Sequence, residues 1–190
     1  MYLCRHGETE WNLTGQHTSF TDLSLTSQGI AQAKQLKKAL QKRKFKKVFA
    51  SPMQRAIETC VQAGYGSHME ILEDLSEWNY GKYEGRTTHD IRKEIPDWTI
   101  FEYGAKEGES IIQVECRAKR LIEKLQTFEG DIIVFSHGHF LRALGSVWLG
   151  LGAKQGSLFT LTNASVSILG YERGKSVIKA WNALKTDVSH

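Results

Sequence analysis

Short apolar runs alternate along this chain with longer stretches of helical periodicity, and that order predicts an α/β fold. Within the predicted strand at residues 131–136, positions 132–135 are continuously apolar, as strands of parallel sheets buried on both faces are. We therefore expect a three-layer α/β/α arrangement around a mostly parallel, doubly wound sheet. The predicted strands are a first run that ends at Arg5 and residues 48–50, 70–75, 131–136, 158–171 and 176–181, the last two forming a hairpin.

Capping residues mark where several helices begin. Ser51 is predicted to cap a helix that has Pro52 at its first position and Arg55 in its first turn. Ser110 with Gln113 forms a capping-box sequence. Four helices are predicted. The first starts within residues 25–29 and ends near residue 40, the second follows Ser51, the third follows Ser110, and the fourth covers residues 140–149.

The connecting segments predict one domain over residues 1–190. Residues 13–25 are polar and rich in turn formers, which predicts a loop over the site. Residues 78–109 have a weak pattern that Pro96 and Gly104 interrupt, so we expect a small capping insertion there. No linker-like or repeated segment suggests a second domain.

The charge of the chain is concentrated in one stretch. The formal net charge is +4, yet residues 34–47 hold eight Lys and Arg side chains and no acidic one. A solvated helix face explains such a run better than a nucleic-acid or membrane surface, because Phe45 is the only aromatic residue interleaved with it. We expect neither nucleic acid nor membrane as a partner.

Cysteine usage and the first residues predict a cytoplasmic protein. The three cysteines, Cys4, Cys60 and Cys116, are far apart and form no C-x-x-C motif, which favours a reducing compartment. Arg5 and Glu8 come too early for a signal peptide. The pattern leaves a homodimer and a monomer as alternatives.

Arginine and histidine side chains follow three predicted strands. Arg5 and His6 end the first strand, Arg55 follows the second, and His137 with Gly138 follows the strand at 131–136. In a parallel sheet these carboxyl ends share one edge, where ligands bind. Guanidinium groups suit phosphate oxygens, and a neutral imidazole can attack phosphorus to give a phosphohistidine. The sequence therefore predicts phosphoryl transfer, with Glu77 in a neighbouring loop as candidate proton donor.

These residues belong to a longer pattern that resembles the histidine phosphatase (phosphoglycerate mutase-like) superfamily. The pattern comprises residues 5–12 (RHGETEWN), 51–56 (SPMQRA), Glu77 before Tyr80-Gly81, Glu109-Ser110, and 136–138 (SHG), in the same order. Residues 15–18, 77–85 and 137–142 are similar to the branch of sedoheptulose-bisphosphatase-like and broad sugar-phosphate phosphatases. The resemblance implies a phosphatase of small phosphomonoesters, sugar phosphates or bisphosphates, that needs no cofactor or metal.

The resemblance also implies roles for individual residues. His6 would be the phosphorylated nucleophile, Arg5, Arg55 and His137 would bind the phosphoryl group, and Glu77 would donate the proton. Asn12, Thr18 and the Gly138 backbone are further expected contacts. We also expect Tyr80, His17 and Arg142 among the substrate-binding residues, Arg142 as a grip on a second phosphate.

Several of these assignments have alternatives in the sequence. Glu8, Glu84 and Glu109 are rivals of Glu77 as the acid, and His17 and Arg142 could be plain loop and surface residues. His137 and His139 form an H-x-H pair, but neighbouring arginines disfavour a metal there.

Three other functions compete with the phosphatase. A cofactor-dependent phosphoglycerate mutase is less favoured, because the insertion is short and leans acidic over residues 95–108. A catalytically inactive phosphate-binding protein conflicts with the intact set of reactive residues. A phosphoprotein phosphatase conflicts with the aromatic-rich loop at 78–85, which should narrow access.

Overall fold

A six-stranded mixed sheet forms the centre of the computed structural model, which describes residues 1–40 and 43–183. The strand order is β3-β2-β4-β1-β5-β6, and the first four of these strands are parallel. β5 runs antiparallel to β1 and to β6. The strands are β1 (Tyr2–Arg5), β2 (Lys47–Ala50), β3 (Met69–Ile71), β4 (Ile132–Ser136), β5 (Val166–Glu172) and β6 (Lys175–Ala183).

Seven α-helices occur in the described residues and surround the sheet. They are α1 (Glu10–Thr14), α2 (Ser27–Leu40), α3 (Gln54–Gln62), α4 (Thr88–Arg92), α5 (Ile100–Tyr103), α6 (Ile111–Gln126) and α7 (Gly138–Trp148). None of the helices in these residues is both long and apolar enough to cross a membrane.

Alternate residues of the parallel strands face two separate cores. Tyr2 and Cys4 pack with the apolar side chains of α2 and α3, whereas Leu3 between them packs with those of α6 and α7. Phe49 and Val134 follow Leu3 into the second core. Two buried faces explain why residues 2–4, 48–50 and 132–135 of the inner parallel strands are continuously apolar. The predicted three-layer, mostly parallel fold agrees with this architecture.

Some predicted boundaries are wrong, each for a local reason. Residues 70–75 are not one strand, because β3 ends at Ile71 and a 3-10 turn follows at Glu73–Leu75. A 3-10 turn at Ala153–Leu158 likewise delays the hairpin to Val166. The basic stretch is not one helix, since α2 ends at Leu40 and Lys47 begins β2, while Lys42 lies outside the described residues.

The predicted helix cap at Ser51 is also wrong. α3 begins at Gln54, with Met53 as its N-cap residue and without a capping bond from the Met53 side chain. The carboxylate of Asp22 instead accepts a bond from the Gln54 backbone N–H at 2.7 Å. The Ser51 hydroxyl accepts a bond from the backbone N–H of Met53 at 3.3 Å, ahead of the helix, and also contacts His137 in the functional site. The capping box of Ser110 is present as predicted.

The insertion at residues 78–109 is folded onto the second core. α4 and α5 are short, and each is capped by a threonine side chain. Trp98, Ile100 and Phe101 from this segment are buried among the residues of α6 and α7. The insertion therefore forms a wall of the molecule that is continuous with its core.

The first turn of α2 lies directly against the turn that follows β1. A Cβ atom added at Gly29 would lie 2.2 Å from the backbone oxygen of Glu8. No side chain larger than hydrogen fits at that position unless the backbone shifts. This close approach fixes the position of the first turn of α2 relative to the turn after β1.

We expect Gly29→Ala to lower the free energy of unfolding. Helix propensity alone would stabilise the variant by about 1 kcal/mol, whereas overpacking costs about 1–3 kcal/mol, and here the clash is with backbone. Thermal unfolding should show a lower Tm, and the exposed Gln28→Ala in the same helix turn is the matched control. A higher Tm for Gly29→Ala would show that the contact relaxes freely.

Candidate functional site

A cavity of about 340 Å³ opens beside the carboxyl end of β1. Its wall combines side chains from the turn after β1, the loop before α2, the insertion and the start of α7. Two predicted site residues, Arg55 and His137, do not belong to this wall and lie fully buried behind it. The predicted residues that line the cavity are Arg5, His6, Asn12, His17, Thr18, Glu77, Tyr80, Gly138 and Arg142.

His6 is held in one ring orientation by the backbone. Its Nδ1 lies 2.7 Å from the carbonyl oxygen of Gly7, and because a carbonyl only accepts, Nδ1 carries the proton. In the neutral ring the lone pair is then on Nε2. The backbone N–H of Gly7 donates to Thr59 Oγ1 at 2.9 Å, which fixes the turn itself.

His6 is also kept neutral. The side chain is buried, and burial lowers its pKa well below the usual histidine range. The positive charges of Arg55 and Arg5 lower the pKa of His6 further, while the bond to the Gly7 carbonyl opposes them. At neutral pH the ring is therefore an uncharged base with a lone pair on Nε2.

Arg5 presents a donor that the protein does not satisfy. Its Nη1 donates to the carbonyl oxygen of Leu161, but its Nε is buried without a hydrogen-bond partner among the described residues. A Cβ added at Gly138 would lie 3.2 Å from this Nε, so the glycine lets the guanidinium approach closely. A buried orphan donor on a charged group is costly, and other parts of the half-buried Arg5 side chain line the cavity.

Arg55 ties the loop before α2 to the site. Its Nη1 donates to the carbonyl oxygen of Thr21 at 3.1 Å, and its Nη2 donates to that of Ser19 at 2.9 Å. Glu58, three residues after Arg55 in α3, accepts instead from the side chain of Gln54 and from the backbone N–H of Leu25. Arg55 therefore contributes positive charge from behind the cavity wall.

His137 has protein partners on both ring nitrogens. Arg55 Nε donates to its Nδ1 at 3.2 Å, so the proton of the neutral ring is on Nε2, which lies 2.7 Å from Ser51 Oγ. Its ring centre is 5.2 Å from that of His6. Burial and the charge of Arg55 lower the pKa of His137 well below its usual value. Direct contact of His137 with a phosphoryl group requires one of these bonds to open.

The amide of Asn12 is oriented by three donors. The backbone N–H and hydroxyl of Thr9 donate to Asn12 Oδ1 at 3.0 and 3.1 Å, and Asn163 Nδ2 donates to the same oxygen at 2.9 Å. Since Oδ1 is committed to these groups, the Asn12 NH₂ group is the part that can serve the cavity. This orientation supports the predicted role of Asn12 as a donor.

Glu77 lies at the N-terminus of α7. Its Oε1 accepts bonds from the backbone N–H groups of Trp78 and Phe140 at 2.9 and 2.7 Å. Its Oε2 accepts one bond, from the backbone N–H of His139 at 3.0 Å. Oε2 consequently retains a lone pair, and it is the oxygen with capacity to carry a proton toward the cavity.

The three rivals of Glu77 are engaged elsewhere. Glu8 accepts a bond from the Thr26 hydroxyl, and Glu84 accepts from the Ser19 backbone and hydroxyl. Glu109 forms a two-pronged ion pair with Arg117. None of these three carboxylates lines the cavity, so Glu77 is the candidate acid that the geometry favours.

The far wall of the cavity is aromatic and carries one cation. The Tyr80 hydroxyl bonds to His139 Nδ1 at 2.5 Å, and the ring of His17 lies 4.8 Å from that of Tyr80. Burial lowers the pKa of His17 to about 4 and that of His139 well below its usual value, so both are neutral. The Arg142 guanidinium stacks 4.5 Å from the centre of the Phe101 ring.

Comparison with known proteins places the chain in a family. The family model described as histidine phosphatase superfamily (branch 1) matches residues 1–184. The chain belongs to the histidine phosphatase superfamily. The resemblance predicted from the motifs is therefore confirmed.

Relatives of this histidine phosphatase include proteins named as phosphatases. The chain is 38% identical to an acid phosphatase of Mycobacterium tuberculosis over 92% of its length and 87% of the relative. It is 33% identical to a sedoheptulose 1,7-bisphosphatase of Saccharomyces cerevisiae over 80% of its length and 68% of the relative.

A solved structure confirms the predicted fold of this histidine phosphatase. The structure of an open reading frame product from Mycobacterium tuberculosis matches with a TM-score of 0.92 at 36% identity and covers 96% of each chain. The three-layer α/β architecture predicted from the sequence is thus shared with a protein of known structure.

Some residues of the site were not identified as functional by the sequence analysis. Asn163 lines the cavity, Thr59 fixes the Gly7 turn, and Arg117 holds the loop of Glu77. Arg117 donates to the carbonyl oxygens of Ser76 and Glu77 at 2.7 and 3.2 Å. Thr59 follows Arg55 by one helical turn, which is a usable signal, whereas Asn163 and Arg117 have no local pattern that marks them.

The donors needed for a resident metal are not grouped in the described part of this histidine phosphatase. Within residues 1–40 and 43–183, no cluster of three or more His, Cys, Asp or Glu side chains could hold a metal ion. The H-x-H pair directs His137 and His139 to different partners, Ser51 and Tyr80. The chemistry that this site can supply is that of an imidazole, a carboxyl group and guanidinium groups.

Proposed function

We propose that the chain hydrolyses small phosphomonoesters through a phosphohistidine on His6. The observation that carries the proposal is the neutral, buried imidazole whose free Nε2 belongs to a cavity wall shared with Arg5 and Glu77. Relatives named acid phosphatase, sedoheptulose bisphosphatase and phosphoserine phosphatase support the same reaction class.

The first step transfers the phosphoryl group to the enzyme. The lone pair of His6 Nε2 attacks phosphorus, and the bond from phosphorus to the ester oxygen breaks with its electrons on that oxygen. A proton from Glu77 Oε2 neutralises the leaving alkoxide. Arg5 Nε and the Asn12 amide donate to the phosphoryl oxygens, where fixed donors are most effective.

The second step returns the enzyme to its starting state. Glu77, now a carboxylate, takes a proton from a water molecule, whose oxygen attacks the phosphorus. The bond from phosphorus to Nε2 breaks, and its electrons restore the lone pair of His6. Inorganic phosphate leaves, and Glu77 again carries a proton.

The nucleophile is tested by His6→Ala. We expect the variant to lose the acid-labile phosphoryl label that the wild-type enzyme acquires from a phosphorylated substrate, because no other ring nitrogen replaces Nε2. Rapid acid-free quenching and ³¹P NMR measure the phosphohistidine. His89→Ala changes an exposed histidine and is the matched control.

Assays of the wild-type enzyme separate the rival functions. Release of phosphate without label in the wild-type enzyme would contradict the phosphohistidine route. Isomerisation of 3-phosphoglycerate in the presence of a trace of bisphosphate, at a rate above phosphate release, would favour the mutase. Failure to act on any monoester would favour a phosphate-binding protein.

The role of Glu77 is tested by the dependence on leaving group. Glu77→Gln should reduce turnover of alkyl phosphates by about 10²–10⁴-fold, the usual contribution of a general acid. Turnover of a nitrophenyl phosphate should fall far less in its phosphorylation step, because that leaving group needs little protonation. Single-turnover kinetics measure this step, and the exposed Glu102→Gln is the control. Equal losses of activity on both substrates would show that Glu77 has a structural role and is not the general acid.

The far wall favours a substrate with a second anionic group. Arg142 lines the cavity, and its Nε donates to the carbonyl oxygen of Gly156 at 3.1 Å, which leaves other N–H groups of the guanidinium for a ligand. The neighbouring His17 and His139 are neutral, so Arg142 is the cation of this wall. We therefore infer a sugar bisphosphate or a phosphorylated acid as substrate.

Arg142→Gln tests the substrate class. A charge-assisted bond contributes about 1.5–3 kcal/mol, so kcat/KM for a sugar bisphosphate should fall by about 10–100-fold. The value for a neutral-tailed monophosphate should change little. The exposed Arg120→Gln is the matched control. Equal effects of Arg142→Gln on both substrates would remove Arg142 from substrate recognition.

A further inference from the structure

Asn163 contacts the backbone of the nucleophile and a neighbouring donor with one amide group. Its Nδ2 lies 3.2 Å from the carbonyl oxygen of His6, 3.3 Å from that of Gly7 and 2.9 Å from Asn12 Oδ1. It lines the cavity and precedes β5. An asparagine NH₂ group has two hydrogens, so these three acceptors converge on a single small donor.

The loop that carries Asn163 is fixed to the same turn. The backbone N–H of Ala164 donates to the carbonyl oxygen of His6 at 3.1 Å. Ala164 has a φ of 51°, a left-handed conformation that is unfavourable for a residue with a Cβ atom. The Ser165 hydroxyl donates to the carbonyl oxygen of Thr162 at 2.7 Å, which closes the loop on itself. The amide of Asn163 is thus presented from a rigid segment.

The ring orientation of His6 and the amide orientation of Asn12 each depend on an acceptor that Asn163 also contacts. The Gly7 carbonyl, which holds the proton of His6 Nδ1, also accepts from Asn163. Asn12 Oδ1, which must point away from the cavity for the NH₂ group of Asn12 to serve it, is the closest of the three acceptors. A single side chain therefore connects the nucleophile to a predicted phosphoryl-binding amide.

We propose that Asn163 is a positioning residue that sets both the ring orientation of His6 and the amide orientation of Asn12. This inference rests on the proposed function, because it assigns Asn163 to that same site. Asn163 acts through His6 and Asn12 and takes no part in bond making. Its removal should allow the Gly7 carbonyl and the Asn12 amide to rotate, so that Nε2 and the phosphoryl donors lose their mutual alignment.

Two variants test the proposal. Asn163→Ala removes the donor without adding charge, and Asn163→Asp keeps the shape but replaces the donor by a carboxylate that faces three oxygens. For both we expect a loss of about 10–100-fold in kcat, the range seen when a partner that orients a catalytic ligand is removed, with a smaller change in KM. Steady-state kinetics measure kcat and KM, rapid-quench kinetics measure the rate of phosphohistidine formation, and thermal unfolding verifies that the variants are folded.

The pH profile distinguishes positioning from general damage. As pH falls, the carboxylate introduced by Asn163→Asp takes up a proton and regains one donor, so the activity of this variant relative to wild type should rise. The titratable and charged groups of the cavity wall are Arg5, His6, His17, Glu77, Tyr80, His139 and Arg142. They are shared by the variant and the wild type, so the ratio of the two profiles isolates the substituted position. Asn163→Ala should show no such recovery.

Asn182→Asp is the matched control. Asn182 contacts the same loop, but its Oδ1 accepts from the backbone N–H and hydroxyl of Thr162 at 2.8 and 2.9 Å. Aspartate preserves an acceptor at that position, so we expect kcat within about 2-fold of wild type and an unchanged pH profile. An equal loss in this control would attribute the effect to the added charge or to the loop.

NMR of the free enzyme gives a readout independent of catalysis. The ring ¹⁵N signals of His6 should report protonation at Nδ1 in the wild type and a mixture of tautomers in Asn163→Ala. Wild-type kcat and an unchanged His6 tautomer in both variants would overturn the inference. A changed tautomer in an enzyme that never forms phosphohistidine would instead overturn the proposed function and leave the positioning role standing.

Discussion

A neutral imidazole among buried guanidinium groups is the constraint on which this structure depends. Attack on phosphorus needs a lone pair, and a protonated His6 has none. Burial lowers the pKa of His6 most, and the charges of Arg55 and Arg5, which bind the anion in the proposed reaction, lower it further. The two requirements are therefore met by one arrangement, in which positive charge and burial act together on the same ring. The Gly7 carbonyl then decides which nitrogen is reactive.

The layer behind the cavity explains how that charge is tolerated. Arg55 is fully buried, yet its donors are satisfied by the carbonyl oxygens of residues 18, 19 and 21 and by His137. A buried charge with a full set of hydrogen bonds is far less costly than an isolated one. The loop before α2 is in turn held by Arg55, so the wall that covers the site is part of the same network.

The sequence predicted the features that residues close together in the chain determine. Apolar runs located β1, β2 and β4, and the residues at their carboxyl ends gave Arg5, His6 and His137. The contact of Ser51 with His137 spans 86 positions, and that of Asn163 with the Gly7 carbonyl spans 156. No local periodicity encodes such pairs, because they exist only once the sheet order is set. Ser51 was accordingly mistaken for a helix cap.

The first turn of α7 uses its backbone N–H groups to hold a side chain of the protein itself. A helix N-terminus usually offers its free backbone N–H groups to phosphate. Here two of them, on His139 and Phe140, donate to the carboxylate of Glu77. In the proposed reaction the helix thus positions the acid, and Gly138 is the first residue of the helix and lines the cavity. In the proposed reaction, arginine and asparagine side chains then supply most of the donors around phosphorus, and Arg5, whose Nε is buried without a protein partner among the described residues, is one of them.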